Sequence, residues 1–290
     1  MKKNILITGS SSGFGLLTAT TLLNAGHTVV ASMRNPQGKN KQTAEKLKEM
    51  NAYIVDIDVT QDSSVETGIA EAINLVNSVD VVINNAGIGV SGLQETFTID
   101  DWKKIFDVNV FGVQRVNRAI LPHMRNRKAG LLIHVSSLLG RFVLPFFGPY
   151  NSSKYALEAL ADNYRVELSG FGIESVLVEP GGFGTEFNAN ILKPGDTQRI
   201  NSYGDFSQAP GQMIESFEKN YAGENAPDPQ MVADAILKVI EAPEGDRPFR
   251  TVVDGLGMGT PIEKYNKAAD ELTTGIYSAF QMESMLKVKR

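Results

Sequence analysis

The 290-residue chain contains no cysteine, which excludes disulfides, thiolate nucleophiles and cysteine-ligated metals. Its three histidines, His27, His123 and His134, form no pair at metal-ligand spacing, so we predict structural roles for them and no metal site. No apolar run approaches the roughly 20 residues of a membrane-spanning helix. The basic first residues lead into an apolar run too short for a signal peptide, so we predict a cytoplasmic protein without a membrane span.

Clusters of basic residues are also lacking. The formal net charge is −5, and only Lys287, Lys289 and Arg290 form a short basic end. This balance argues against nucleic acid or an anionic membrane as the main partner. No linker-like tract divides the chain, so we predict one domain over residues 1–290, with a core to about 255 and a helical extension over 256–290. Whether the extension packs on its own domain or on another subunit stays open.

A glycine-rich turn follows the first strand-like segment. Residues 3–8 read as a short buried strand, and the apolar positions after residue 15 have helical spacing. The turn between them has the sequence Thr-Gly-Ser-Ser-Ser-Gly-Phe-Gly, residues 8–15. Backbone N–H groups and the positive end of a helix dipole meet at such a turn, and glycines let a diphosphate approach closely. A plain tight turn is the alternative.

Strand-like and helical segments alternate along the whole chain. The strand-like segments cover residues 3–8, 27–32, 52–57, 79–84, 131–136, 173–179 and 249–253, the last after a helix from about 228 to 240. This alternation predicts an α/β, doubly wound Rossmann fold: a seven-stranded, mostly parallel sheet with helices on both faces. Residues 181–225 leave the sixth strand at the edge where ligands bind in such folds, so we predict a substrate lid there. A flexible surface insertion is the alternative.

Four separated residues, Asn109, Ser137, Tyr150 and Lys154, form a candidate catalytic set. Tyr150 and Lys154 lie four apart on a helical run and share a face. An ammonium beside a phenol favours phenolate, so we expect a lowered pKa for Tyr150, which would be the acid in carbonyl reduction or the base in alcohol oxidation. Ser137, or its rival Ser136, would donate a hydrogen bond to the substrate carbonyl. A purely structural role for a buried Asn109 is the alternative.

These motifs resemble those of the classical short-chain dehydrogenases/reductases. Seven markers occur in the family's order and spacing: the glycine turn, Asp58-Val59, Asn-Asn-Ala-Gly at 84–87, Asp-Val-Asn at 107–109, Val-Ser-Ser at 135–137, Tyr150-x-x-x-Lys154, and Pro-Gly-x-x-x-Thr at 180–185. The likeness extends to about Asp254, and residues 140–146 look most like the hydroxysteroid and retinol dehydrogenase branch. It implies hydride transfer between a nicotinamide cofactor and a carbonyl or alcohol.

The resemblance also implies roles for individual residues. Lys154 would hydrogen-bond the nicotinamide ribose, Asn109 would hold a water that links the lysine to solvent, and Ser137 is favoured over Ser136. Subunits of the family often pair through the helices bearing Asn109 and Tyr150, so a homodimer or homotetramer is expected. The implied cofactor-binding residues are Gly9, Ser11, Ser12, Gly13, Phe14, Gly15, Arg34, Asp58, Val59, Asn85, Ala86, Gly87, Tyr150, Lys154, Pro180, Gly181 and Thr185.

The end of the second strand predicts the form of the cofactor. An Asp or Glu there would bind the ribose 2′-hydroxyl of NAD and repel a 2′-phosphate. Met33 occupies that position and Arg34 follows, whose guanidinium suits a phosphate, with Ser12 or Ser32 as hydroxyl donors. We therefore predict NADP(H) over NAD(H). The alternative is that Arg34 is a solvated surface residue, and the chain lacks the basic residue that many NADP-preferring relatives have at the position of Ser12.

Apolar side chains near Tyr150 and after the sixth strand bear on the substrate: Phe142, Leu144, Pro145, Phe146, Phe147, Phe183, Phe187 and Ile191. If they face the pocket, the substrate is a lipophilic ketone, aldehyde or alcohol; core packing is the alternative. The predicted function is an NADP(H)-dependent oxidoreductase acting on such a small molecule. A non-catalytic NADP-sensing protein that binds partners through its lid is the second hypothesis.

Overall fold

The computed structural model describes residues 1–187, 191–223 and 226–289. Seven strands form one sheet, and each end lies within about two residues of its predicted bound. Strands form here because the segments are short, apolar and rich in Val and Ile. They are β1 (Asn4–Ile7), β2 (Thr28–Met33), β3 (Tyr53–Asp56), β4 (Val81–Asn84), β5 (Gly130–Val135), β6 (Ile173–Pro180) and β7 (Arg250–Val253).

The sheet has the strand order β3-β2-β1-β4-β5-β6-β7, and every neighbouring pair is parallel. The predicted doubly wound fold is confirmed, and the sheet is wholly rather than mostly parallel. The strand order reverses between β1 and β4. In open α/β sheets, ligands bind in the crevice outside the carboxyl ends of the strands at such a reversal.

Ten α-helices lie in the described residues: α1 (Gly13–Asn24), α2 (Lys41–Glu49), α3 (Asp62–Val76), α4 (Ile99–Phe106), α5 (Gly112–Arg127), α6 (Gly148–Leu168), α7 (Thr197–Ser202), α8 (Ala209–Ala222), α9 (Gln230–Glu241) and α10 (Gly259–Ala279). The helix predicted near residues 228–240 is α9. Asp107–Phe111 form a π-helical turn between α4 and α5. Asn109 lies in this turn, where the sequence pattern indicated a regular helix.

The core consists of two apolar layers, one on each face of the sheet. Alternate residues of a strand point to opposite faces, so Ile5 and Ile7 pack with helices α1, α2 and α9, while Leu6 packs with α3 and α5. Among the described residues no helix has the length and apolar character of a membrane span.

The predicted lid, residues 181–225, is more structured than its composition indicated. It contains α7 and α8, and its residues 188–190 and 224–225 lie outside the described part of the chain. The extension after residue 256 forms α10, which packs against β7 of its own chain and buries Ile262 and Asn266. Leu272 and Phe280 remain exposed on this extension. Arg290 lies outside the described residues.

His134 takes part in a buried polar network on β5. Its side chain is fully buried, with Nδ1 3.3 Å from Asn84 Nδ2 and Nε2 3.2 Å from Ser175 Oγ. The Ser175 hydroxyl donates to the Ala161 carbonyl at 2.9 Å, so it accepts from Nε2–H of a neutral ring. Burial lowers the pKa of His134 to about 3.

We expect His134→Gln to make folding less sensitive to acid. The pKa of His134 is lower in the folded chain than its usual 6.5. The contribution of the neutral ring to the free energy of unfolding is therefore fully present above about pH 6.5 and is lost as the pH falls toward 3. Urea unfolding between pH 4 and 7 should show a slope shallower by up to about 1.4 kcal/mol per pH unit than in the parent chain. Parallel pH curves would contradict this account of the ring. His27 and His123 are present in both chains, so their titration cancels.

Candidate active site

A cavity of about 1620 Å³ opens at the carboxyl edge of the sheet. It extends from the turn after β1 and the end of β2, past β4 and β5, to the start of the lid and helix α8. Every residue predicted to bind the cofactor lines this cavity, with the exception of Gly15. Of the four candidate catalytic residues, Ser137, Tyr150 and Lys154 line it and Asn109 does not.

The glycine turn forms the start of α1, as the sequence predicted. Gly9 and Gly13 have φ angles of +70° and +52°, which other residues rarely adopt. A Cβ atom at Gly9 would lie 2.9 Å from the Ala86 Cα, so the turn and the segment after β4 touch through backbone. The Gly13 N–H donates to the Glu186 Oε2 at 3.1 Å. The beginning of this helix therefore holds an anionic group, as its dipole favours.

Gly15 allows close packing within the turn because it has no side chain. A Cβ atom there would overlap the Gly9 carbonyl oxygen and lie 2.5 Å from Asn85 Nδ2. That amide donates to the carbonyls of Thr8 and Gly9 at 3.0 and 3.1 Å, and the Thr8 hydroxyl accepts from the Asn85 and Ala86 N–H groups. Absence of a side chain at Gly15 thus lets the end of β4 hold the turn.

Tyr150 and Ser137 both line this cavity. Tyr150 lies in the first turn of α6, and Ser137 follows β5 at the start of a short 3₁₀ helix, where its Oγ accepts from the Leu139 N–H at 3.1 Å. The Lys154 ammonium is 5.6 Å from the centre of the Tyr150 ring and donates to the Val135 carbonyl at 2.9 Å.

Burial controls the protonation of both titratable groups. It raises the pKa of Tyr150 to about 12, against the opposing effect of the Ser137 hydroxyl, and it lowers the pKa of Lys154 to about 8, against the charge of Glu158. The expected lowering of the Tyr150 pKa is therefore wrong for this structure, because loss of hydration on burial outweighs the opposing effect. At pH 7 the phenol holds its proton and the lysine is charged.

The rival serine and Asn109 are placed differently. Ser136 also lines the cavity, but its buried Oγ has no hydrogen-bond partner among the described residues. Asn109 lies behind the cavity, where its side chain accepts from the Ile88 N–H at 2.9 Å and donates to the Ile88 carbonyl and the Ser153 hydroxyl at 3.0 Å. Asn109 thus joins the segment after β4 to helix α6, which carries Tyr150.

The part of the cavity beyond Tyr150 is apolar. Of the eight apolar residues named from the sequence, six line it: Phe142, Leu144, Phe147, Phe183, Phe187 and Ile191. Pro145 and Phe146 do not, and the Phe146 ring contacts Phe206 with centroids 6.0 Å apart. Phe183 also packs in the core against Phe14, and Phe187 meets the Tyr150 ring edge to face at 5.8 Å.

Helix α8 supplies apolar residues that the sequence analysis missed. Met213, Phe217 and Tyr221 line the cavity at intervals of four residues, and Ile214 lies beside them. This helical spacing was visible in the sequence, within a segment whose Gly, Asn, Ser and Pro content drew attention first. Together with the six residues before them, they give the cavity a wall suited to an apolar ligand.

A comparison with protein families shows the family to which the chain belongs. Residues 3–195 match the family model of the short chain dehydrogenases. The chain belongs to this family. The match includes the glycine turn, Ser137, Tyr150 and Lys154, and the proteins of this family are oxidoreductases that bind nicotinamide cofactors.

Two curated relatives and one solved structure show how far the likeness extends. The uncharacterized oxidoreductase YusZ of Bacillus subtilis is 34% identical over 82% of this chain and 84% of its own. The 3-ketodihydrosphingosine reductase of Bacteroides thetaiotaomicron is 34% identical over 87% of this chain and 88% of its own. The crystal structure of a short-chain dehydrogenase from Streptomyces avermitilis has a TM-score of 0.75 and 26% identity, covering 97% of this chain and 98% of that one. Matching structures include complexes with NAD and with NADP.

A second cation accompanies Arg34 at the far end of the cavity. Lys39, in the segment between β2 and α2, lines the same region, and both side chains are exposed. Asn40 donates to the Arg34 carbonyl at 2.6 Å, which ties the Lys39 segment to the end of β2. The sequence analysis missed Lys39, because no motif marks it and only the turn after β2 brings it to the cavity.

Gly15→Ala tests the packing of this short-chain dehydrogenase turn. The added methyl group overlaps the Gly9 carbonyl, so we expect a stability loss of about 1–3 kcal/mol and cofactor binding at least about tenfold weaker. Thermal unfolding and cofactor fluorescence titration measure the two effects. Gly275→Ala is the matched control, since a Cβ atom there meets open space. Unchanged affinity in Gly15→Ala would show that the turn does not need this close contact.

Proposed function

We propose that the chain is an NADP(H)-dependent oxidoreductase that interconverts a lipophilic ketone or aldehyde and the corresponding alcohol. One observation carries this proposal: Tyr150, Ser137 and Lys154 line a single cavity together with the glycine turn and the apolar wall. A proton donor, a polar anchor, a cofactor cradle and a substrate surface thus converge. No observation favours the non-catalytic sensing hypothesis.

The residues around the cavity fit a dinucleotide. The start of α1 would hold the diphosphate, since its Gly13 N–H already donates to the Glu186 carboxylate. Asp58 and Val59 would flank the adenine, Asn85, Ala86 and Gly87 would line the ribose side, and Pro180, Gly181 and Thr185 would surround the nicotinamide. When bound, the cofactor would supply or accept the hydride at the substrate carbon.

Tyr150 would handle the proton of the reaction. In reduction its phenol would donate to the oxygen of the substrate as that oxygen gains negative charge, and the Ser137 hydroxyl would donate a second hydrogen bond. The charged Lys154 would stabilise the phenolate that remains. We propose that Asn109 holds a water linking Lys154 to solvent, which would return the proton. In oxidation the same groups would act in reverse.

The apolar wall supports a lipophilic substrate. Leu144, Phe147, Met213, Ile214 and Phe217 contribute hydrocarbon or aromatic surface, which would exclude water and hold a substrate without ionic groups. The relative from Bacteroides thetaiotaomicron is named as a reductase of a keto compound, which fits carbonyl reduction. We further propose a cytoplasmic location and a homodimeric or homotetrameric assembly, as expected from the sequence.

The preference for NADP(H) rests on charge at the end of β2. Met33 brings no carboxylate to the cavity, while Arg34 and Lys39 bring two cations. Two cations would pair with the 2′-phosphate dianion, and the guanidinium can form two parallel hydrogen bonds to it. NADH would lack this interaction.

Tyr150→Phe tests the catalytic assignment. Removing the hydroxyl removes the proton donor, so we expect turnover to fall by at least about 10³-fold while the NADPH dissociation constant changes less than about twofold. Absorbance at 340 nm with a reducible ketone and fluorescence titration measure the two quantities. Tyr155→Phe, on the exposed side of the same helix, is the matched control and should retain activity. A Tyr150→Phe protein with more than about a tenth of parent activity would refute the role.

Arg34→Ala and Lys39→Ala test the cofactor preference. Because charge-assisted hydrogen bonds contribute about 1.5–3 kcal/mol, we expect Arg34→Ala to weaken NADPH binding about 10–100-fold and to leave NADH binding within about twofold. Lys39→Ala should act in the same direction with a smaller effect. Calorimetric titration with both cofactors gives the comparison, and Lys46→Ala, exposed on α2 and away from the cavity, serves as control. Equal losses for NADPH and NADH would contradict the preference.

A further inference from the structure

Glu158 is a buried charge that the proposed reaction does not use. It lies one helical turn after Lys154 on α6, so the two side chains share a face, and the residues are 3% and 5% exposed. Burying an ionised group costs several kcal/mol unless it has a partner of opposite charge. Among the described residues, the hydrogen bond of the Lys154 ammonium goes to a neutral carbonyl, that of Val135. Glu158 is the buried carboxyl group that follows it by one turn.

A cage of side chains from several elements surrounds the Glu158 carboxylate. Arg250 of β7 donates from Nε to Glu158 Oε2 at 3.0 Å, and Arg141, in the segment between β5 and α6, is 3.8 Å from the same oxygen. The Arg141 and Arg250 side chains are 10% and 6% exposed, so both guanidiniums interact with the carboxylate in a site with little water.

A second carboxyl group, Glu179 of β6, lies beside the first. Arg250 Nε is 3.4 Å from Glu179 Oε1, and Asn266 donates to Glu179 Oε2 at 2.6 Å. Burial, and then the charge of Glu158, raises the pKa of Glu179 to about 8. The raised pKa favours the protonated form of Glu179 near neutral pH.

The C-terminal helix α10 closes this cage. Arg141 donates from Nε to Asn266 Oδ1 at 2.7 Å, and its guanidinium lies 4.6 Å from the centre of the Tyr265 ring. Asp270 accepts from Arg250 at 3.3 Å. Helix α10 and β7 follow the residues that match the family model, and together they complete the surroundings of a residue one turn from Lys154.

We propose that Glu158 is the buried counter-charge of Lys154 and that α10 completes the cage that fixes its carboxylate. Glu158 is then a positioning residue, acting through Lys154 rather than on the substrate. Burial lowers the pKa of Lys154, and the charge of Glu158 opposes that shift. The titratable and charged groups that face the pair or its cage are Tyr150, Arg141, Glu179, Arg250, Asp162, Arg165, Tyr265 and Asp270.

The kinetic test of this proposal rests on the proposed function. The pH profile of kcat/KM for carbonyl reduction should fall on its basic side as Lys154 loses its proton. Glu158→Gln removes the counter-charge, so this fall should move to lower pH by about one unit. Glu167→Gln, exposed on the same helix, is the matched control and should leave the profile in place. A uniform loss at every pH in Glu158→Gln, or an equal shift in Glu167→Gln, would overturn the proposal.

A stability test needs no substrate, so it separates this proposal from the proposed function. The Glu158→Gln substitution is made in two backgrounds that both carry Glu179→Gln. One background keeps Lys154, and the other carries Lys154→Met. The pKa of Lys154 is lower in the folded chain than in the unfolded chain, so the free-energy cost of burying its ammonium disappears as the pH rises. We expect the Tm loss from Glu158→Gln to be about 2–4 °C larger at pH 6 than at pH 9 with lysine, and independent of pH with methionine. The same pH dependence in both backgrounds would overturn the pairing.

Glu158→Asp keeps the test decisive if the Gln variant does not fold. This variant retains the charge, but its side chain is shorter by one methylene and the carboxylate lies farther from Lys154. The shift of the pH profile and the pH dependence of the Tm loss should therefore appear with smaller size. An Asp variant whose Tm loss is the same at pH 6 and pH 9 would overturn the proposal.

Discussion

The parallel direction of all seven strands is the constraint on which the site depends. Because parallel strands need crossover helices, every strand ends at the same edge of the sheet and every crossover covers a face. The glycine turn after β1, Asn85 after β4, Ser137 after β5 and Pro180 at the end of β6 therefore meet around one cavity, although they are separated in sequence. Helix α6 then brings Tyr150 and Lys154 to the same edge.

Burial gives this cavity its chemical character. It holds the proton on the Tyr150 phenol and makes the Lys154 charge costly, so the two groups depend on what surrounds them. The Val135 carbonyl accepts from the Lys154 ammonium. The apolar wall would exclude water on the substrate side, and Glu158 is the proposed counter-charge of Lys154. The proposed acid, its cation and this counter-charge lie in successive turns of a single helix.

The sequence was most informative where function depends on local pattern. Short apolar strands, helical spacing and the glycine turn are written in neighbouring residues, so the strand bounds and the cavity lining were predictable from them. Three features came from tertiary contacts instead: Lys39 reaches the cavity through the turn after β2, Asn109 lies in a π-helical turn, and Glu158 is caged by residues up to 112 positions away. The direction of the Tyr150 pKa shift was missed because the sequence does not show how deeply the ring is buried.

The most direct test of the central claim is the change in absorbance at 340 nm when the purified protein meets NADPH, and separately NADH, with a panel of lipophilic ketones and aldehydes. The account predicts consumption of NADPH with at least one panel member, and slower consumption of NADH with the same compound. If NADPH binds to the protein but is consumed with no member of the panel, the proposed reaction is contradicted and a non-catalytic role of the cavity would take its place.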